Sequence, residues 1–146
     1  LNRNLDKEKD FLDKIISIYG EKYIFIHDHR HIKYDQYTNY RPDVTNLIND
    51  NKFPVFHPNF NYYSFDKKHK YYNLWSKELI RYNLLDYGLI LENAEEISII
   101  DSSFSNLCPY LDLSKVKYKQ LKTYIDYLDY HPMGDYDTWK IINPTD

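Results

Sequence analysis

Three histidines, two aspartates and an arginine follow a short hydrophobic stretch in the sequence YIFIHDHRHIKYD. His27, His29 and His31 alternate, so an extended backbone would place the three rings on one face, where they could bind a metal ion. Alternatively, the strand ends near His27, and Asp28 and Arg30 belong to a polar loop at the carboxyl edge of a parallel sheet, where α/β proteins bind ligands. No HExxH or CxxC motif supports a metal site. We therefore favour the ligand loop, with a merely solvated polar loop as the other interpretation, and predict neither a metal nor another cofactor.

The sequence IIDSSFSNL brings a carboxylate and two hydroxyl groups to the point where a predicted strand ends and a helix begins. Backbone N–H groups at a helix start bind anions, and the hydroxyls of Ser102 and Ser103 can add donors, so a phosphate or diphosphate fits there. Asp101 could accept a hydrogen bond from a ribose or sugar hydroxyl. The competing interpretation is that Ser102 only caps the helix and Asp101 only interacts with its first turn.

Four further side chains are weaker candidates for a function. Glu92 lies near the end of a predicted helix, where its carboxylate could meet a ribose, although solvated glutamates are common there. His57 follows a predicted strand and points to the same edge as the histidine cluster. Cys108 lies in an apolar segment and is predicted to be a core residue, and His131 is predicted to belong to a turn. The chain contains no P-loop, GxGxxG or GxSxG motif.

The first half of the chain predicts a helix and two short strands. DKEKDFLDKIISIYG has apolar residues at helical spacing, with Asp6 as the candidate N-cap and Gly20 as a natural stop. YIFI follows directly as a continuously apolar strand, which is typical of a strand covered on both faces. FPVFHP predicts a second strand between prolines. The polar and aromatic residues 59–73 show no periodicity and predict a loop.

The second half of the chain continues the alternation of helices and strands. SKELIRYNLLDYGLILENAEE, residues 76–96, predicts one long helix, which Gly88 weakens by roughly 1 kcal/mol relative to alanine. ISII predicts a third buried strand, and SSFSNLCPYL predicts a helix capped by Ser102 or Ser103. KQLKTYIDYL predicts a fourth strand, and HPMGDYDTWKIIN predicts a turn and a final short element. This order predicts βαβ units and an α/β domain with a mostly parallel sheet.

Length, charge and cysteine content exclude several classes of protein. A chain of 146 residues is the usual size of a single domain, and its net charge of −3 argues against binding to nucleic acid. The single cysteine excludes an internal disulfide framework and favours a reducing, cytoplasmic location. No apolar run approaches the ~20 residues of a membrane helix, and the first residues lack the apolar core of a signal peptide. The 17 tyrosines accompany many Lys, Asn and Ile residues, which suggests an AT-rich genome rather than stacking sites.

Three segments resemble a known family of enzymes. YIFIHDHR, the segment FPVFHPN…YNLW, and above all LLDYGLILENAEEISIIDSSFSNL resemble the nucleotide-sugar-binding half of a group of viral and bacterial GT-B glycosyltransferases. These enzymes are distantly similar to fucosyltransferase-type enzymes. In that group a strand ending in His-Asp leads to a loop containing an arginine, and a later A-x-E-I-x-x-I-D-S-S-F places an acid and two serines at a helix start. The resemblance covers about residues 23–139 and is most specific in NAEEISIIDSSF.

The resemblance implies roles for individual residues. The acid and the two serines of IDSSF would contact the diphosphate or ribose of a sugar donor. His27, Asp28 and Arg30 would form the opposing wall, and Arg30 would act in catalysis by stabilising the nucleotide diphosphate as it leaves. The family's first loop often contains a further acid and Arg-Gly, whereas His29 and His31 occupy that region here and the glycine is absent.

The resemblance also implies an architecture and partners. In GT-B enzymes two Rossmann-like domains face each other, and residues 1–146 would form only the donor-binding one, a three-layer α/β domain. A longer chain is then expected, with an acceptor domain, a nucleotide-sugar donor, a glycan or protein acceptor, and host cytoplasm as the location if the protein is viral. The alternative is a non-catalytic α/β module that binds a nucleotide or glycan or scaffolds another domain. The absent glycine and the absent acceptor half favour this alternative.

Overall fold

The computed structural model describes residues 2–27, 52–58, 81–122 and 136–142, and the helices, strands and contacts of the fold are those within these residues. In chain order, the elements are α1 (Leu5–Tyr19), β1 (Ile24–His27), β2 (Val55–Phe56), a 3-10 turn (Leu84–Tyr87), α2 (Gly88–Glu92), β3 (Glu96–Ile100), α3 (Ser103–Leu107), a second 3-10 turn (Cys108–Tyr110), β4 (Tyr118–Lys122) and β5 (Lys140–Ile142).

The five strands form one sheet in the order β2-β1-β3-β4-β5, and all four pairings are parallel. The prediction of an α/β architecture with a parallel sheet is therefore confirmed. Because the strands run in one direction, their last residues share one edge of the sheet, which we call the carboxyl edge. Their first residues share the opposite edge, which we call the amino edge.

The helix α1 begins and ends at local sequence signals. Its N-cap is Asn4, whose side chain accepts the N–H of Lys7 at 3.2 Å, so the prediction of Asp6 as the cap is wrong by two residues. Gly20 ends the helix as predicted: its N–H donates to the carbonyl of Ile16 at 2.8 Å, and its φ of 87° suits glycine.

The predicted helix over residues 76–96 is wrong in its described part. Tyr82 and Asn83 are not helical, and they are followed by the 3-10 turn and by α2, which has only five residues. Asp86 explains the break, because its carboxylate accepts the N–H of Asn83 at 2.7 Å and its own N–H donates back to the Asn83 carbonyl at 3.0 Å. Such local bonds start a new element at Asn83 instead of continuing an earlier helix. Glu96 already belongs to β3.

The remaining predicted elements differ from the structure mainly in length. The second strand is confirmed but contains only Val55–Phe56, and the predicted helix after Asp101 ends at Leu107 and continues as a 3-10 turn. The fourth strand begins at Tyr118, and the predicted final short element is β5. The predicted loop at residues 59–73, the rest of the fourth strand at residues 123–128, and His131 lie outside the described residues.

An aromatic cluster fills one face of the sheet. Phe25 and Phe56 share this face because they are register partners on neighbouring strands. Phe11 of α1 meets Phe56 edge-on at 6.4 Å, while Tyr87 and Phe104 meet Phe25 edge-on at 6.1 and 5.1 Å between ring centroids. Full burial of each such side chain contributes roughly 1.5–3 kcal/mol. Helix α1, the first 3-10 turn and α3 therefore cover the same face of the sheet.

Candidate functional site

The carboxyl ends of β1 and β3 bring two predicted site residues together. His27 is the last residue of β1, Ser102 follows β3 by two positions, and Ser102 Oγ lies 3.4 Å from His27 Nδ1. The chain leaves β1 towards β2 on one side and leaves β3 towards β4 on the other. The two connections diverge between β1 and β3, and such a topological switch point is where open parallel sheets form a ligand crevice.

Aromatic packing holds the imidazole of His27 in place. Only 6% of His27 is exposed, and its ring lies 4.8 Å from the ring of Phe104 at an interplanar angle of 60°. His57 follows β2 directly, is fully buried, and has its ring centroid 6.2 Å from that of His27. The two imidazoles therefore form a buried histidine pair across the adjacent strands β1 and β2.

The three IDSSF candidates form the turn from β3 into α3. The N–H of Asp101 donates to the carbonyl of Lys122 at 3.0 Å, which extends the pairing of β3 and β4 by one residue. Ser102 is the N-cap of α3, as predicted, and has an extended backbone. Asp101 and Ser102 are half-buried, whereas Ser103 is exposed as the first residue of the helix. The carboxylate and both hydroxyls therefore lie within three consecutive residues at the carboxyl edge.

The sequence analysis missed the residue that organises this turn, Ser105. Its hydroxyl accepts the N–H of Ser102 at 2.9 Å and faces both Asp101 Oδ1 at 3.0 Å and the Ser102 carbonyl at 2.6 Å. The hydroxyl of Tyr136 donates to the carbonyl of Ser105. A signal was present, because Ser102 and Ser105 stand at the N-cap and N3 spacing of a capping box.

The structure does not bring Glu92 to this site. Glu92 ends α2 immediately before β3 and therefore lies at the amino edge of the sheet. Its carboxylate accepts Arg3 Nη2 at 2.5 Å and the N–H of Asp112 at 2.8 Å. Arg3 also donates to the buried Glu8 at 2.7 Å, and its hydrogen bonds to the carboxylates of Glu8 and then Glu92 raise the pKa of the Arg3 guanidinium. Glu92 thus anchors α2 to the N-terminal residues and to the loop before β4.

The candidates Asp28, His29, Arg30 and His31 lie outside the described residues. Within the described ranges, no group of three or more His, Cys, Asp and Glu side chains is placed to hold a metal ion. None of the helices in these ranges has the length and hydropathy needed to cross a membrane.

Cys108, by contrast, is confirmed as a core residue. It is buried next to α3, and burial raises the pKa of its thiol to about 12. A thiol with this pKa is almost entirely protonated at neutral pH and is a poor nucleophile.

Comparison with protein-family models, with curated proteins and with solved structures found no match for this chain.

Proposed function

We propose that the chain binds the nucleoside diphosphate part of a sugar donor at the carboxyl edge between β1 and β3, as the donor-binding half of a GT-B glycosyltransferase. One observation carries the proposal: His27 and Ser102, from two segments far apart in the sequence, lie 3.4 Å apart at the switch point of a parallel sheet. These are the same two segments in which the resemblance to glycosyltransferases is found.

Each residue of the turn has a role that suits its chemistry. The hydroxyls of Ser102 and Ser103 donate to phosphate oxygens, and the carboxylate of Asp101 accepts a ribose or sugar hydroxyl. His27 forms the wall beside them, and the fully buried His57 lies next to His27. Glu92 is not included, because Arg3 and the backbone of Asp112 already bind its carboxylate.

The chemistry proposed for the site is stabilisation of a leaving group. Negative charge builds up on the diphosphate as its bond to the sugar breaks, and donors fixed in advance stabilise that charge. Arg30, three positions after His27 in the sequence, supplies the positive charge, and Asp28 belongs to the same segment. We further propose that an acceptor domain completes the enzyme, that the acceptor is a glycan or a protein, and that the protein acts in the cytoplasm.

A second candidate is a non-catalytic α/β module that binds a nucleotide or glycan or supports another domain. The complete burial of His57 favours it, because a histidine with no exposed surface contributes to packing. Binding of a nucleotide without turnover would distinguish a binding module from the enzyme.

The test is calorimetric titration of GDP and UDP into the wild-type chain and two serine variants. Ser102→Ala removes one hydroxyl donor and is expected to cost about 1 kcal/mol of binding free energy, or about fivefold in affinity. Ser17→Ala is the matched control, since it removes a hydroxyl that binds the Lys14 carbonyl at 2.7 Å on the exposed side of α1. Absence of binding to the wild type at millimolar nucleotide would refute the proposal.

Turnover is tested separately with nucleotide sugars. Release of GDP or UDP that depends on an added glycan acceptor is expected from the enzyme. Binding of the donor without any such release by the longer protein that includes the proposed acceptor domain would leave the non-catalytic module as the better description.

A further inference from the structure

We propose that Ser105 and Tyr136 are positioning residues of this site, holding Asp101 and Ser102 in the orientation that binds the diphosphate and its ribose. The proposal rests on the proposed function and adds two residues that the resemblance does not assign. Neither residue is expected to touch the donor, since both act through the turn.

The hydroxyl of Ser105 connects both ends of the turn. Ser105 is 3% exposed, and its hydroxyl accepts the N–H of Ser102 at 2.9 Å and lies 3.0 Å from Asp101 Oδ1 and 2.6 Å from the Ser102 carbonyl. A hydroxyl has one proton and donates to one of these acceptors at a time, or shares the proton between them. One buried atom therefore fixes the backbone of Ser102 and the carboxylate of Asp101 relative to each other.

Tyr136 fixes Ser105 in turn. Its hydroxyl donates to the Ser105 carbonyl, and the ring is 7% exposed. The ring packs against that of Trp139, the residue that directly precedes β5, with 5.0 Å between the ring centroids. Tyr136 therefore ties the segment that leads into β5 to α3, so the turn is braced from outside its own helix.

A serine at position 105 is better explained by its hydrogen bonds in the turn than by the stability of the helix α3. Serine is a weaker helix former than alanine, so a helix that needed only to pack would be at least as stable with alanine at this position. The hydroxyl gives the turn something that alanine cannot, namely an acceptor for Ser102 and a donor for Asp101. Replacing it is expected to leave α3 folded and to loosen Asp101 and Ser102.

The test is GDP and UDP titration of Ser105→Ala and Tyr136→Phe against matched controls. Ser105→Ala is expected to lower affinity about tenfold, and Tyr136→Phe less. Ser17→Ala loses the same kind of hydroxyl-to-carbonyl bond across three residues. Tyr23→Phe loses a buried tyrosine hydroxyl that donates to the Ile90 carbonyl at 2.5 Å. Both controls are expected to bind as the wild type does.

Two further readouts separate positioning from a general loss of stability. In an Asp101→Asn background, Ser105→Ala is expected to cost less than it does in the wild type, because part of its effect passes through Asp101. Amide hydrogen exchange followed by NMR is expected to show faster exchange of the Ser102 N–H in Ser105→Ala. A loss of stability alone would give additive effects on binding and no selective change at Ser102.

Every outcome decides between the alternatives. If the wild type binds nucleotide and Ser105→Ala and Tyr136→Phe bind equally well, the positioning role is wrong and the proposed function stands. If the wild type binds neither nucleotide, both proposals fail, and the first titration alone shows it. If circular dichroism shows that Ser105→Ala is unfolded, Tyr136→Phe decides by the same criterion.

Discussion

Arg30 carries the positive charge that the proposed site needs, and removing it gives a sharp prediction. Arg30→Ala is expected to lower the affinity for GDP or UDP by about 10- to 150-fold, because a hydrogen bond to a charged group contributes roughly 1.5–3 kcal/mol. Calorimetric titration measures the change. Lys115→Ala is the control, since it removes an exposed charge from the loop that leads to the amino edge. Equal losses in the two variants would indicate long-range electrostatics rather than a contact.

Cys108 gives a second prediction, which does not depend on function. Burial raises the pKa of its thiol from 9.0 to about 12, so the thiolate fraction at pH 8 is about 10³-fold lower than that of an exposed cysteine. The native chain is therefore expected to react with a disulfide reagent at pH 8 orders of magnitude more slowly than the same chain in denaturant. Comparable rates in the two conditions would show that Cys108 is accessible in the folded protein.

Helices α1 and α2 approach each other closely at Gly88. A β-carbon at this position would overlap Glu8 Oε1 and would lie 2.8 Å from Arg3 Nη2. The same Glu8 oxygen accepts the N–H of Leu89 at 3.0 Å, so a buried carboxylate from α1 satisfies a backbone donor in the first turn of α2. Glycine at position 88 therefore provides space rather than flexibility.

The close approach predicts an effect opposite to that expected from helix propensity. Gly88→Ala gains up to roughly 1 kcal/mol as a better helix former but displaces a buried charge from its partners, for a net loss of about 1–3 kcal/mol in the free energy of unfolding. In a Glu8→Ala background, where the obstructing carboxylate is absent, the same change is expected to be neutral or stabilising. Urea unfolding of the four proteins measures both effects. If Gly88→Ala destabilised the wild type and the Glu8→Ala variant equally, the steric overlap would not be with the Glu8 carboxylate.

Elements with local signals were predictable from the sequence. Gly20 stops α1 and Ser102 caps α3 through contacts within a few residues, and ISII is a strand whose three isoleucines are buried. The break at Asn83 was not predictable from periodicity, because the apolar spacing continues through it. The start of α2 depends on a carboxylate from α1.

The candidate site was predictable to a similar extent. Parallel strands imply a shared carboxyl edge, and for that reason His27 and Ser102 were expected near each other. The position of Glu92 was not predictable in this way. Glu92 lies at the amino edge because α2 ends there, before β3 begins at Glu96, and the sequence pattern showed no boundary between residues 92 and 96. The spacing of Ser102 and Ser105 indicated a capping box, but the contact of the Ser105 hydroxyl with Asp101 depends on the direction of that hydroxyl, which the sequence does not give.

The fold as a whole predicts which segments become protected from hydrogen exchange when a nucleotide binds. GDP or UDP at about 100 times the dissociation constant stabilises the fold by about 2.7 kcal/mol and slows all exchange that requires global unfolding. At short labelling times, however, additional protection is expected in peptides that contain β1 with the residues that directly follow it, and in peptides that contain α3, on either side of the switch point. Hydrogen exchange with mass spectrometry measures this pattern.

Residues 111–117 provide the internal control for that experiment. They lead to the start of β4 at the amino edge, where the N–H of Lys117 donates to the Glu95 carbonyl at 2.9 Å. Early protection is expected to be absent there. Protection confined to residues 111–117 would move the ligand to the wrong edge of the sheet and would contradict the proposed function.

The strand order also has a consequence for how the chain folds. β1 pairs with β3, so Ile24 must pair with Glu96 before the centre of the sheet can form. Closing so long a loop costs conformational entropy, whereas a local element such as α1 forms without closing a long loop. Folding is therefore expected to be slow for a chain of this size, as in other sheets dominated by non-local pairs. The contact between His27 and Ser102 sits at the far end of that pairing and should form after the barrier has been crossed. Stopped-flow measurements on His27→Ala are thus expected to show faster unfolding with little change in the refolding rate.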